Sequence, residues 1–163
     1  MESEKTFRTK TGFCHITSDK IILTRDGIIG NISKTVVGNG IAKILIIYSG
    51  IAIFMLYNAF NSFGNNENGS GMLYSFVAFF LIYSISKSLN NSATPVIERN
   101  KIKDANFING KTGLTRSRFE IIFEDGNGKL KKRLIMLPGS LSDGSNETEK
   151  ALAIMKSERI ISA

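Results

Sequence analysis

The chain has 163 residues, 42% of them hydrophobic and 21% charged, with a formal net charge of +7. Its one cysteine excludes an internal disulfide, and one cysteine with one histidine cannot complete a zinc sphere. The basic excess would suggest a nucleic-acid partner if it were spread evenly, but its distribution has another explanation.

The leading segment, 1–39, reads as β-structure. Phe13 to Thr17 and Ile21 to Thr24 are β-rich apolar runs separated by the polar turn Ser18-Asp19-Lys20. Asp26-Gly27 ends the second run. Ile28 to Val37 offers a short third strand before Gly38-Asn39-Gly40 breaks the chain. Two or three strands are marginal alone in water, so this segment needs a partner.

Two uncharged apolar stretches follow, from Ile44 to Asn66 and from Asn68 to Ser86, separated by Glu67. A bilayer core of ~30 Å needs about 20 helical residues, and each stretch meets that length. Residues 40–90 therefore read as a transmembrane helical hairpin, with helices at about 43–63 and 70–88. All 21 Lys and Arg lie outside the connecting loop, which carries only Glu67. That asymmetry predicts both termini on the cytoplasmic side, with the loop translocated. Lys43 and Lys87 stand at the cytoplasmic ends, where long side chains reach the headgroups. More than 40 residues precede the first stretch and no cleavage pattern follows it, so it reads as an anchor. The helix interiors hold no Asp, Glu, His or Arg, which argues against a carrier or pump. Asn58, Ser49, Ser75, Ser84, Gly50 and Ala78 suit helix packing instead.

In 91–163, Val96 to Arg99 and Ile102 to Ile108 read as short strands. The clearest element is a hairpin from Arg118 to Leu137. Phe119, Ile121 and Phe123 alternate with Glu120, Ile122 and Glu124, the period of a sheet with one dry face. A four-residue turn, Asp125-Gly126-Asn127-Gly128, sets Phe123 opposite Leu130 and Phe119 opposite Leu134. Glu124 then meets Lys129 and Glu120 meets Arg133, pairs worth about 0.2–1 kcal/mol each. After Pro138-Gly139, Asn146 as N-cap with Glu149 three residues on predicts a helix to about Arg159. Thr148, Ala151, Leu152 and Met155 share one of its faces.

An even number of crossings returns the chain to the side it left. Segments 1–39 and 91–163 thus complete one cytoplasmic β-domain split by the membrane hairpin. The fold class is α+β, with a C-terminal helix closing the domain. The strand order, the Val96-Ile97-Glu98-Arg99-Asn100-Lys101-Ile102 run, the long hairpin and the closing helix resemble bacterial PH-like domains. More narrowly, they resemble small bacterial membrane proteins in which two helices interrupt such a domain after its first strands. That resemblance implies a membrane-tethered binding or scaffolding module. The runs Asn90 to Pro95 and Leu134 to Ser140 also resemble chains labelled as a phosphoribosylaminoimidazole-succinocarboxamide synthase. Such a ligase resembles a much larger ATP-grasping enzyme, and no nucleotide-binding positions carry over.

Candidate chemistry is sparse. Cys14 and His15 are neighbours on a strand and point to opposite faces, so they cannot share a ligand. No G-x-S-x-G elbow is present, and Gly110 to Gly113 lacks the Lys-Ser/Thr of a phosphate cradle. We therefore expect no catalytic residue, cofactor or metal, and no nucleic-acid partner. The best binding candidates are Lys129, Lys131, Lys132 and Arg133, with Arg116 and Arg118 nearby. Near an anionic leaflet each such charge contributes about 1 kcal/mol. The sequence thus predicts a non-enzymatic inner-membrane protein whose domain binds anionic lipid or a protein partner. The alternative is an accessory subunit docking through its hairpin.

Overall fold

Alternation builds the first sheet. In the computed structural model, which describes residues 5–27, 31, 41–111, 114–139 and 144–162, three strands precede the apolar helices. Strand β1 (Lys5–Thr9) turns Phe7 and Thr9 inward and Arg8 outward. Strand β2 (Gly12–Ile16) buries Cys14 and Ile16, and β3 (Lys20–Leu23) buries Ile21 and Leu23. β4 (Val96–Glu98) completes an antiparallel sheet in the order β1-β2-β3-β4. Its register sets Phe7, Cys14 and Leu23 in one inward row and Ile16, Ile21 and Ile97 in the next. The third strand expected between Ile28 and Val37 lies outside the described residues.

A single 3-10 turn, Arg99–Lys101, leads into the second sheet, β5 (Ile102–Ile108), β6 (Arg118–Glu124) and β7 (Leu130–Met136), all antiparallel. The hairpin exists as expected, but its register is displaced by one residue. Phe123 faces Lys131, Phe119 faces Ile135, Glu120 faces Leu134 and Glu124 faces Leu130. The connection holds five residues, closed by Asp125 N–H donating to the Lys129 carbonyl at 2.9 Å. Gly128 takes a φ of 73°, a left-handed position that glycine occupies without steric cost. The Asp125 carboxylate accepts from the Lys129 and Asn127 N–H groups, and these bonds hold its carboxyl below the usual range.

The displacement changes which side chains are buried. It turns Ile135 and Leu137 into the core, at 2% and 0% exposure, and leaves Leu130 59% exposed. The expected register would instead have turned Leu130 and Leu134 inward, so aliphatic burial along this strand does not by itself separate the two.

Both sheets share one core. Phe7 and Phe119 stand 5.9 Å apart between ring centroids, and Phe107 lies 5.3 Å from Phe119. Ala151 and Met155 of the closing helix join them, with Ile161 beyond it. That helix, α3 in chain order, spans Gly144–Ser157. It begins two residues before the expected cap at Asn146, and Gly144 is buried against Pro138 and Gly139. A Cβ on Gly144 would meet their carbonyl oxygens at 2.6 Å. Arg159, with a φ of 54°, ends the helix as Ile160 N–H reaches back to the Met155 carbonyl.

The remaining helices, α1 (Ala42–Gly64) and α2 (Asn68–Ser88), form a second compact unit over Ile41–Asn90. Both are long and apolar enough to cross a membrane. They pack on small residues one heptad apart, Ala52 and Ala59 of α1 against Gly71 and Ala78 of α2, with Ser62 also buried. A Cβ on Gly71 would strike the Phe63 ring at 2.7 Å, so the close approach depends on that glycine. Of the packing residues the sequence suggested, Ala78 is buried. Gly50 faces open space, while Asn58 and Ser84 donate to Phe54 and Phe80 carbonyls of their own helices.

One polar clasp ties three distant segments together. Glu158 accepts from Lys5 at 2.7 Å and from Arg99 at 2.9 Å, and Arg99 also donates to the Thr17 carbonyl. The Lys5 bond first, then the Arg99 bond, hold the Glu158 carboxyl below its usual range. A depressed carboxyl contributes stability above its unfolded value and loses it as pH falls through the folded one. Glu158→Gln should therefore lower the melting temperature near neutral pH and flatten its decline on acidification. Melting curves between pH 7 and pH 3 compare the two proteins, and parallel curves would show that the clasp is inert.

Candidate functional site

The six basic residues singled out by sequence do not form one patch. Side chains alternate along β7, so Lys132 lies on the outer face of the second sheet while Lys131 and Arg133 turn to the inner side. On the outer face, Glu120 accepts from Arg118 at 3.0 Å and lies 3.7 Å from Lys132. Lys103 pairs with Glu124 at 3.1 Å beside them. Leu130, Leu134 and Ile122 interleave with these charges, so the face is a mixed checkerboard of apolar and paired ionic groups. Lys129 sits in the exposed turn. Arg116 lies apart, against Gly139, at the edge of a cleft of about 310 Å³ lined also by Asn109, Ser117 and Thr148.

Arg133 is the member the corrected register moves most. Its guanidinium points under the sheet and donates through Nη1 to the Ser92 carbonyl at 3.0 Å. Its Nε is buried with no hydrogen-bond partner. Burial first, then the neighbouring charge of Arg25, bring its pKa down to about 10. Arg25 donates through Nη2 to the next carbonyl, Ala93, also at 3.0 Å. Two arginines from β7 and the end of the first sheet thus hold consecutive peptide carbonyls.

Sequence reasoning missed Arg25. The Thr24-Arg25-Asp26-Gly27 run reads only as a turn, and the pairing depends on an inward Arg133 that the other register forbids.

Cys14 lies on the same side, fully buried, and burial pushes its thiol up to about 12. His15 points to the opposite side, 3.2 Å from the Thr6 hydroxyl through Nδ1. Among the described residues no group of three or more His, Cys, Asp or Glu is placed to hold a metal ion.

No family model matches this chain, and neither the curated proteins nor the solved structures compared with it give a match. What the chain can do rests on its own geometry.

The hairpin register is directly testable, because Cys14 is buried and protonated and stays out of oxidation chemistry. Ile122→Cys with Lys132→Cys should crosslink readily under mild oxidation, since these residues stand opposite each other. Ile122→Cys with Lys131→Cys should not. The reverse pattern on non-reducing gels would restore the other register. Native Cys14 should resist iodoacetamide until urea unfolds the domain.

Proposed function

We propose that this chain is a two-pass protein of the bacterial inner membrane, with a cytoplasmic PH-like domain that binds a protein partner and carries out no catalysis. The carrying observation is the uncovered circumference of α1 and α2. Only small residues are buried in either helix, while Phe54, Phe60, Phe76 and Phe80 are all more than half exposed. Apolar surface of that extent is costly in water and suited to lipid. The charge asymmetry supports cytoplasmic termini. Lys87 stacks its ammonium 5.6 Å from the Tyr83 ring, an arrangement suited to the inner headgroup boundary.

The PH-like assignment rests on four antiparallel strands, three more, and a closing helix that buries Ala151 and Met155 in their common core. The preference for a protein partner rests on the outer face of the second sheet. Its cations are already paired with Glu120 and Glu124, and exposed pairs add little toward an anionic surface. Its interleaved Leu130, Leu134 and Ile122 offer apolar contact within a polar rim, the composition of a transient protein interface. A domain that binds lipid headgroups is the second form of the reading, favoured by the overall positive charge.

Three measurements test this. Alkaline carbonate should leave the full-length protein in the membrane fraction, and release would remove the two-pass reading. Reporters fused to either end should be active only as cytoplasmic fusions, whereas opposite sides for the two ends would break it. A photocrosslinking side chain at Leu134 should give protein adducts in native membranes. Lipid adducts alone would move the reading to headgroup binding, and no adduct would withdraw this face as a binding surface.

A further inference from the structure

We propose that β5 (Ile102–Ile108), an edge of the second sheet, pairs antiparallel with β5 of a second copy of this chain, the two-fold axis passing through Asn106. This edge is separate from the outer sheet face described above, and either surface can fail without the other.

The direction of the β5 backbone follows from the neighbouring hairpin. Leu137 N–H donates to the Ser117 carbonyl at 3.0 Å and Asp125 N–H to the Lys129 carbonyl at 2.9 Å, both continuing the β6–β7 register. Residues along a strand alternate in the side to which their N–H and C=O groups point. The odd-numbered residues of β6 therefore bond β7, and Glu120 and Ile122 bond Asn106 and Asp104 of β5. Ala105 and Phe107 turn their N–H and C=O groups to the opposite, open side.

The two sheets end in four edge strands, and the chain blunts three of them itself. On β1, Arg8 N–H donates to the Glu147 carboxylate at 3.0 Å. On β7, the Met136 carbonyl accepts from Lys10 N–H and the Lys132 carbonyl from Ser92 N–H, each at 2.8 Å. On β4, the Thr94 hydroxyl donates to the Val96 carbonyl at 3.0 Å. Among the described residues no such bond covers the outward groups of Ala105 or Phe107. An open edge of this kind is a template for another strand.

The occupant is a second copy because the edge complements itself in one register. Centred on Lys103 or Asp104, an antiparallel pair would set like charges face to face, which is destabilising. Centred on Ala105, it would recruit Lys103, which the bulge between Ile102 and Asp104 takes out of the regular edge. Centred on Phe107, only Asn106 to Ile108 would overlap. Centred on Asn106, the pair runs from Asp104 to Ile108, clear of the bulge. Ala105 then faces Phe107 of the second copy, small against large, and each half-buried side chain gains cover. The exposed Asn106 amides meet across the axis, each able to donate and accept. The contact is isologous, so it closes at two copies. The outer faces of the two second sheets then run on into one.

The test uses purified full-length protein in mild detergent. Asn106 and its counterpart form a non-hydrogen-bonded pair, with Cα atoms about 4.5 Å apart and within disulfide reach. Asn106→Cys should form a disulfide-linked dimer under mild oxidation. Asp104→Cys, on the same exposed face, should stay monomeric on non-reducing gels, and the fully buried Cys14 contributes no crosslink. Asn106→Lys places like charges on the axis and should halve the protein mass read by light scattering, with an unchanged melting temperature. Ala105→Pro removes an N–H that lies outside the β5–β6 ladder and should have the same effect. A wild-type monomer at every concentration would overturn the proposal. So would equal crosslinking of Asp104→Cys, or a dimer that survives Asn106→Lys. In native membranes, an Asn106→Cys adduct of any mass other than twice that of the chain would overturn it by giving the edge to another protein.

Discussion

The antiparallel pairing of β3 with β4 is the constraint from which the rest of the fold follows. Lys20, Ile21 and Ile22 lie opposite Glu98, Ile97 and Val96, joining chain segments on either side of the apolar helices. Without it, β1 to β3 would be a small meander with one greasy face, marginal in water. With it, the inward row through Ile16, Ile21 and Ile97 is continuous, and the second sheet gains a surface on which to close. Such a pairing is remote in sequence, so its loop must close before burial rewards it. The polar clasp at Glu158 reinforces the same union, joining β1 through Lys5 to the turn after β4 through Arg99.

Much of this was legible in the residues, for reasons that differ from element to element. The apolar helices declared themselves by length and by lack of charge, and the bounds found, Ala42–Gly64 and Asn68–Ser88, differ little from those read. Phe119, Ile121 and Phe123 alternate so cleanly that β6 could be recognised at once. β1 was missed because Phe7 is its one large apolar residue and its other inward residue, Thr9, is polar. The β6–β7 register misled because matched charges and matched leucines pointed the same way. The outcome is read at the end of the strand, where Ile135 and Leu137 are buried and Leu130 is exposed.

The candidate site shows the cost of that single slip. In the expected register Arg133 belongs to a solvated basic row, and the row invites a simple electrostatic reading. In the fold it is an interior cation beside Arg25, while Lys132 and Arg118 are already engaged by Glu120. A run of basic residues on a strand is two half-runs on opposite faces, with different solvation and different partners.

The hydrogen bond from Leu23 N–H to the Pro95 carbonyl, at 2.7 Å, has a wider meaning. It brings the points where the chain departs from the first sheet and rejoins it into direct contact. A segment spliced between two touching points does not disturb the architecture that receives it. Lengthening such an excursion costs only about 0.6 kcal/mol per doubling in closure entropy. The helical pair is therefore an excursion from a domain whose chain already meets itself at Leu23 and Pro95.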